Sequence, residues 1–255
     1  MKLCTFEMNS PLGRTPRLGL KTQKEKILDL NLAYALMLAE RDGHLRAREL
    51  ADVLVPPDMS AWLKNERFGR QAVDEAVDYL GARINGDDLR GPRGEKLLHG
   101  LEEVRLLAPL PRPSSMRDCA LFMEHVKKSM ERSGRHEELK QLIEIQKKLP
   151  VVYYKGNPAS VVGPDSDIVM HPGETRHDYE CEVCCVIGRT GRDIPPDKVW
   201  DHLAGFTIFN DVSGRDMCGL EIKSLLGLAK GKDKDGWNQM GPYLVTPDEW
   251  DFRDE

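Results

Sequence analysis

Glu180 and Glu182 lie two residues apart in Asp178-Tyr179-Glu180-Cys181-Glu182-Val183-Cys184-Cys185-Val186-Ile187-Gly188, a stretch apolar and β-branched enough to form a strand. Alternate residues of a strand share a face, so the two carboxylates project the same way. Apolar neighbours on both parities predict a strand that is largely buried. Paired carboxylates in such a strand repel one another and must either protonate or meet a cation. A hard divalent ion such as Mg²⁺, Mn²⁺ or Ca²⁺ prefers oxygen ligands and resolves the repulsion. The alternative is the solvated face of an antiparallel sheet, and spacing alone does not choose between them.

Three further places could do chemistry. Asp211 follows the apolar run Phe206–Phe209, where a strand should end, within Phe209-Asn210-Asp211-Val212-Ser213-Gly214-Arg215-Asp216. Taken by itself, Asn210-Asp211 is more simply a turn that bonds its own backbone. The segment after Ser115 reads as a helix to about Ser133, with Cys119, Phe122, Val126 and Met130 as its apolar stripe. On that helix Asp118 and His125 are nearly two turns apart and share a face beside the stripe. Alone, they read as surface residues. Gly231-Lys232 lies in the charged segment Ala229–Gly236, lacks the spacing of a Walker A loop and is followed by Asp233. The segment therefore does not read as a phosphate cradle, and a charged surface loop is expected. Cys181 and Cys184 form a C-x-x-C, but positions three apart in a strand face opposite ways and do not converge on one zinc. The six cysteines read as reduced thiols rather than a disulfide framework.

These residues need elements to position them. The first part of the chain opens with strand-like runs at Met1–Phe6, Arg17–Leu20 and Ile27–Leu30, followed by helical periodicity. Helices are expected over the Leu32–Ala39 stripe, over Arg46–Leu54, from Ser60, and over Arg70–Ile84. A polar loop follows from Asn85 to Gly100, then a strand at Val104–Leu110. Beyond the helix after Ser115 and a second at Glu137–Lys148, the pattern turns to short β runs. These are Val151–Tyr154, Ser160–Val162, Asp167–Met170, Tyr179–Ile187, Phe206–Phe209 and Tyr243–Val245, with a brief helix at Asp197–Leu203. The expected class is α+β, with a mixed N-terminal domain over residues 1–113 and a β-rich domain over residues 114–255. At 255 residues, with 40% hydrophobic and 31% charged residues, the chain is neither disordered nor low in complexity. A net charge of −5 gives no electrostatic footprint for nucleic acid. The sequence has no apolar run of transmembrane length and no signal-peptide core, so a cytoplasmic protein is expected.

In their order along the chain these motifs resemble the fumarylacetoacetate hydrolase family. The resemblance is carried by the D-x-E-x-E strand running into V-I-G (Asp178–Gly188), N-D-x-S-x-R-D (Asn210–Asp216), Gly231-Lys232, and G-P-x-L-V-T-x-D-E (Gly241–Glu249). It implies a β-rich catalytic fold and a divalent metal, Mg²⁺ foremost, held by Asp118, Glu180, Glu182 and Asp211. It further implies His125 as the base acting on water, Lys232 beside a departing enolate, and Tyr154 and Arg135 as substrate contacts. The activity implied is hydrolytic carbon–carbon cleavage of a small β-diketo or 2-oxo acid in aromatic-compound breakdown, by a homodimer. Alternatives on the same fold are a 2-hydroxyhepta-2,4-diene-1,7-dioate isomerase, an oxo-acid decarboxylase, or a truncated and inactive metal-binding relative. Cys218 stands where the family usually has a glutamine. The sequence stops at Asp251-Phe252-Arg253-Asp254-Glu255, before the family's further strands, so an incomplete catalytic fold is expected.

Overall fold

The computed structural model describes residues 1–10, 13–149, 153–224 and 227–249. Strands β1 (Lys2–Ser10) and β2 (Gly13–Lys21) form an antiparallel hairpin, and β3 (Ile27–Asp29) pairs with β2. Asp29 then caps α1 (Leu30–Glu40), its Oδ1 accepting the Leu32 N–H at 3.0 Å. Every residue from Leu30 to Leu38 is buried, so α1 is enclosed on all sides. Against it pack α2 (Ala47–Leu54) and α4 (Glu66–Leu80), with α3 (Met59–Leu63) packed on α4. Helix α4 buries Gly69, Ala72, Val73, Ala76 and Leu80 as one stripe. Asp58, rather than Ser60, starts α3, accepting the Ala61 N–H at 2.7 Å. Strand β4 (Leu98–His99) pairs with β3, and the short β5 (Arg105–Leu106) pairs with β1.

The second part contains β6 (Met116–Cys119), α5 (Met123–Arg132), α6 (His136–Lys148), β7 (Tyr153–Gly156), β8 (Val161–Val162) and β9 (His177–Asp178). It continues with β10 (Cys181–Ile187), β11 (Leu203–Asp211), β12 (Ser213–Gly214), α7 (Arg215–Ser224), β13 (Asn238–Met240) and β14 (Leu244–Val245). Among the described residues ten strands form one sheet, in the order β4-β3-β2-β1-β14-β11-β13-β8 with β10 on β11 and β5 on β1. Lys2 pairs with Val245 and Leu3 with Leu244, so this sheet runs from the N-terminal strands into the C-terminal ones. One hydrophobic cluster follows it, from Leu3, Leu18 and Leu28 to Val186, Phe209, Met240 and Leu244. The architecture is mixed α and β, as expected. No described helix is long and apolar enough to cross a membrane.

Three local expectations are corrected. The helix after Ser115 is instead strand β6 followed by α5, because residues 116–119 pair with β7, Met116 against Gly156 and Asp118 against Tyr154. Cross-strand pairing overrides local helical periodicity there, and Asp118 and His125 do not share a helix face. Asp167–Met170 forms no strand; the Val169 carbonyl instead accepts the indole N–H of buried Trp237 at 2.9 Å. Strand β10 is buried on one side only, with Val183 and Ile187 outward and Glu182, Cys184 and Val186 inward. As expected, Cys181 and Cys184 fall on opposite faces. Of the strand expected at Val151–Tyr154, Val151 and Val152 lie outside the described residues, as do Asp251–Glu255.

Candidate metal centre

Three strands bring three carboxylates together. Asp118 comes from β6, Glu182 from the inward face of β10, and Asp211 from the last position of β11. One oxygen from each lies within 4.8 Å of the others. The register explains the meeting, since Glu182 faces Phe209 across β10 and β11, and the Asp211 N–H closes on the Glu180 carbonyl at 3.0 Å. Glu180 precedes β10 and is not part of this cluster of three. Its carboxylate accepts from Lys232 Nζ on one oxygen and from Arg215 Nη2 at 2.6 Å on the other. Arg215 also bonds Asp178 at 2.8 Å and 2.9 Å.

Lys232 is not on a surface loop; it is buried to 3% exposure, with its ammonium between Glu180 and Asp211. Tyr154, opposite Asp118 in the β6–β7 pair, donates its hydroxyl to Asp211 Oδ2 at 3.4 Å. His125 lies exposed in the first turn of α5, outside the carboxylate cluster. Arg135 precedes α6, where it is paired with Glu138 and exposed.

The electrostatics follow from burial. Desolvation, and then the charges of Asp118 and Asp211, push the Glu182 carboxyl up to about 7. Asp211 is also raised, by burial first, with Lys232 opposing. Burial would raise Glu180 as well, but Lys232 and Arg215 outweigh it and hold the carboxyl below its ordinary value. Burial and the charges of Asp211 and Asp118 raise the Tyr154 hydroxyl, keeping it protonated as a donor.

The donor set suits a hard divalent cation. Asp211 Oδ1 is buried and has no hydrogen-bond partner among the described residues. A buried acceptor left bare is costly, and an all-carboxylate cluster is oxygen chemistry of the kind Mg²⁺, Mn²⁺ and Ca²⁺ select. Cation binding should then depend on pH. Glu182 keeps its proton below about pH 7 and must lose it to bind. Affinity should rise from about pH 5.5 to about pH 7.5 and then level, by at most about tenfold per pH unit for each proton released. Calorimetric titrations over that range check this, and an affinity flat below pH 7 contradicts it.

Sequence reasoning missed the supports around the cluster. Glu174 is buried at the start of α7 and accepts the N–H groups of Asp216 at 2.7 Å and Met217 at 3.1 Å. Arg215 stood in a quoted motif but without a role. Their partners are backbone groups or side chains distant along the chain, which leave no periodic signal.

Residues 122–254 match the sequence model of the fumarylacetoacetate (FAA) hydrolase C-terminal family. The chain belongs to the fumarylacetoacetate hydrolase family. It is 33% identical over 149 residues to the mitochondrial oxaloacetate tautomerase FAHD2A of Homo sapiens, covering 57% of this chain and 42% of that one. An uncharacterized protein of Pyrococcus abyssi is 31% identical over 105 residues, 41% of this chain and 46% of its own. This fumarylacetoacetate hydrolase family chain thus spans less than half the length of these relatives. Among solved structures, maleylpyruvate hydrolase from Sphingobium sp. SYK-6, in complex with manganese(II) and pyruvate, shares the fold. Its TM-score is 0.57 at 16% identity, over 98% of this chain and 69% of that one. Fumarylacetoacetate hydrolase from Exiguobacterium antarcticum gives 0.55 at 21% identity, over 98% and 68%.

Proposed function

We propose that the chain carries the centre of a divalent-cation-dependent hydrolase that cleaves a carbon–carbon bond in a small β-diketo or 2-oxo acid. The observation that carries this reading is the meeting of Asp118, Glu182 and Asp211 beside the buried ammonium of Lys232. Those three carboxylates, with Glu180 next to them, are the proposed ligands, and Mg²⁺ is the first choice of ion. The manganese and pyruvate in the Sphingobium hydrolase are a hard ion and an oxo acid of the kind proposed. A bound cation supplies Lewis-acid polarisation of a substrate carbonyl. Lys232 places positive charge where a departing enolate would develop negative charge. Tyr154 offers a protonated hydroxyl to the substrate. His125 is proposed to take the proton from water, and Arg135 to exchange Glu138 for a substrate carboxylate. A homodimer and a place in aromatic-compound breakdown belong to the same proposal.

A second reading has its own support. Relatives 31–33% identical to this chain are oxaloacetate tautomerases. Keto–enol isomerisation would use the same ligands and Lys232 but no attacking water. One assay separates the two. The purified chain with Mg²⁺ or Mn²⁺ is offered acylpyruvates, a fumarylacetoacetate-like diketone and oxaloacetate, alongside Glu180→Ala. Hydrolysis releases pyruvate from an acylpyruvate, whereas tautomerisation changes the enol absorbance of oxaloacetate without cleavage. Turnover should stop with chelator and return with added cation. No cation-dependent change on any of these substrates overturns both readings.

A further inference from the structure

Lys232 follows a turn that is tied down by a carboxylate outside the cluster. Glu221, on α7, accepts three consecutive backbone N–H groups. Ala229 donates at 3.2 Å and Lys230 at 2.8 Å to Oε1, and Gly231 at 2.8 Å to Oε2. On the other side, the Gly231 carbonyl accepts the Gly214 N–H at 2.7 Å. A Cβ at Gly231 would come within 2.5 Å of Cys218 Sγ and 2.8 Å of the Cys218 backbone nitrogen. Cys218, at the position where a glutamine was expected, is therefore packed against the same turn. The turn is held between α7 and β12, and the residue that leaves it is Lys232.

We propose that Glu221 is a positioning residue: by fixing the 229–231 turn it holds the Lys232 ammonium between Glu180 and Asp211. This rests on the role given to Lys232 above. A lysine side chain has four flexible carbons and loses much of its rotamer freedom when ordered. Placing its ammonium between two carboxylates therefore depends on where its backbone starts. A carboxylate suits the task because its two oxygens offer enough lone pairs for three converging N–H groups, and bonds to a charged acceptor are the stronger kind. A glutamine keeps one acceptor oxygen and would turn an amide donor toward at least one of those N–H groups.

Competitive acylation of the full chain with acetic anhydride, followed by peptide mapping, tests this without requiring turnover. In the wild type Lys232 should be protected. In Glu221→Ala its labelling should rise about tenfold through local opening, while half-buried Lys21 and Lys26 on the N-terminal sheet stay unchanged. Glu221→Gln should fall between, and it serves if the alanine variant does not fold. Where turnover is measurable, kcat should fall about ten- to a hundredfold, with a smaller change in KM, as expected of a misplaced group. Unchanged Lys232 labelling in both variants overturns the proposal. So does a rise shared equally by Lys21 and Lys26, which marks Glu221 as merely structural. A wild type without turnover counts against the functional reading alone, because the labelling still decides the position of Lys232.

Discussion

Asp211→Ala should abolish divalent-cation binding. Asp211 is the deepest of the three clustered carboxylates, 1% exposed at the end of β11. Its Oδ2 accepts from Lys232 and Tyr154, and its Oδ1 is buried without a hydrogen-bond partner among the described residues. Changing a residue that only supports a metal ligand typically weakens affinity about 10- to 100-fold. Losing a buried ligand should exceed that, so affinity should fall more than about a hundredfold and turnover should drop below detection. Asp211→Asn keeps the shape and a neutral acceptor oxygen, and should bind with intermediate strength. Calorimetric titration with Mn²⁺ gives the ranking directly. Equal affinity in wild type and Asp211→Ala removes Asp211 from the centre.

Lys232→Met should produce the second large effect, in two measurements with different causes. Methionine fills similar space but leaves Glu180 and Asp211 without their shared ammonium. Removing one partner of a buried ion pair costs about 3–5 kcal/mol, and because Arg215 still holds Glu180 the low end is expected here. A bound cation offsets the same negative charge. The variant should therefore unfold well below wild type in chelator and regain more of its midpoint than wild type does on adding Mg²⁺. Turnover should fall about 10²- to 10³-fold at saturating cation, the range for losing one preorganised donor to a developing oxyanion. Thermal unfolding with and without cation, beside steady-state kinetics, separates the two effects. An unfolding midpoint equal to wild type in chelator contradicts the ion-pair account.

Much of the centre was legible because strand periodicity is local. Glu182 on an inward face and Asp211 at a strand end follow from the alternation around them. The solvated-face alternative fails for Glu182, which is half-buried, and the local-turn alternative fails for Asp211, whose buried carboxylate accepts from Lys232 and Tyr154. Glu180 shares the parity of Glu182, yet it is held by Lys232 and Arg215, which lie 52 and 35 residues further along the chain. Nothing in its own stretch announces them. Residues 116–119 misled because Cys119, Phe122, Val126 and Met130 satisfy a helical period, whereas pairing with β7 decides the structure. The exposure of Val183 and Ile187 was not legible either, since an apolar strand reads the same whether one face or both are covered. Glu174 and Glu221 stayed hidden because they bond backbone N–H groups, whose positions exist only once the chain has folded.

On the proposed reading Asp118, Glu182 and Asp211 hold a divalent cation. Crystals of the chain soaked in Mn²⁺ at about pH 8, above the range where Glu182 keeps its proton, test it most directly through the anomalous difference map. One strong peak is expected in contact with oxygens of all three carboxylates, absent in Asp211→Ala. A map with no peak among them, or a peak elsewhere while Asp211 Oδ1 stays bare, contradicts it.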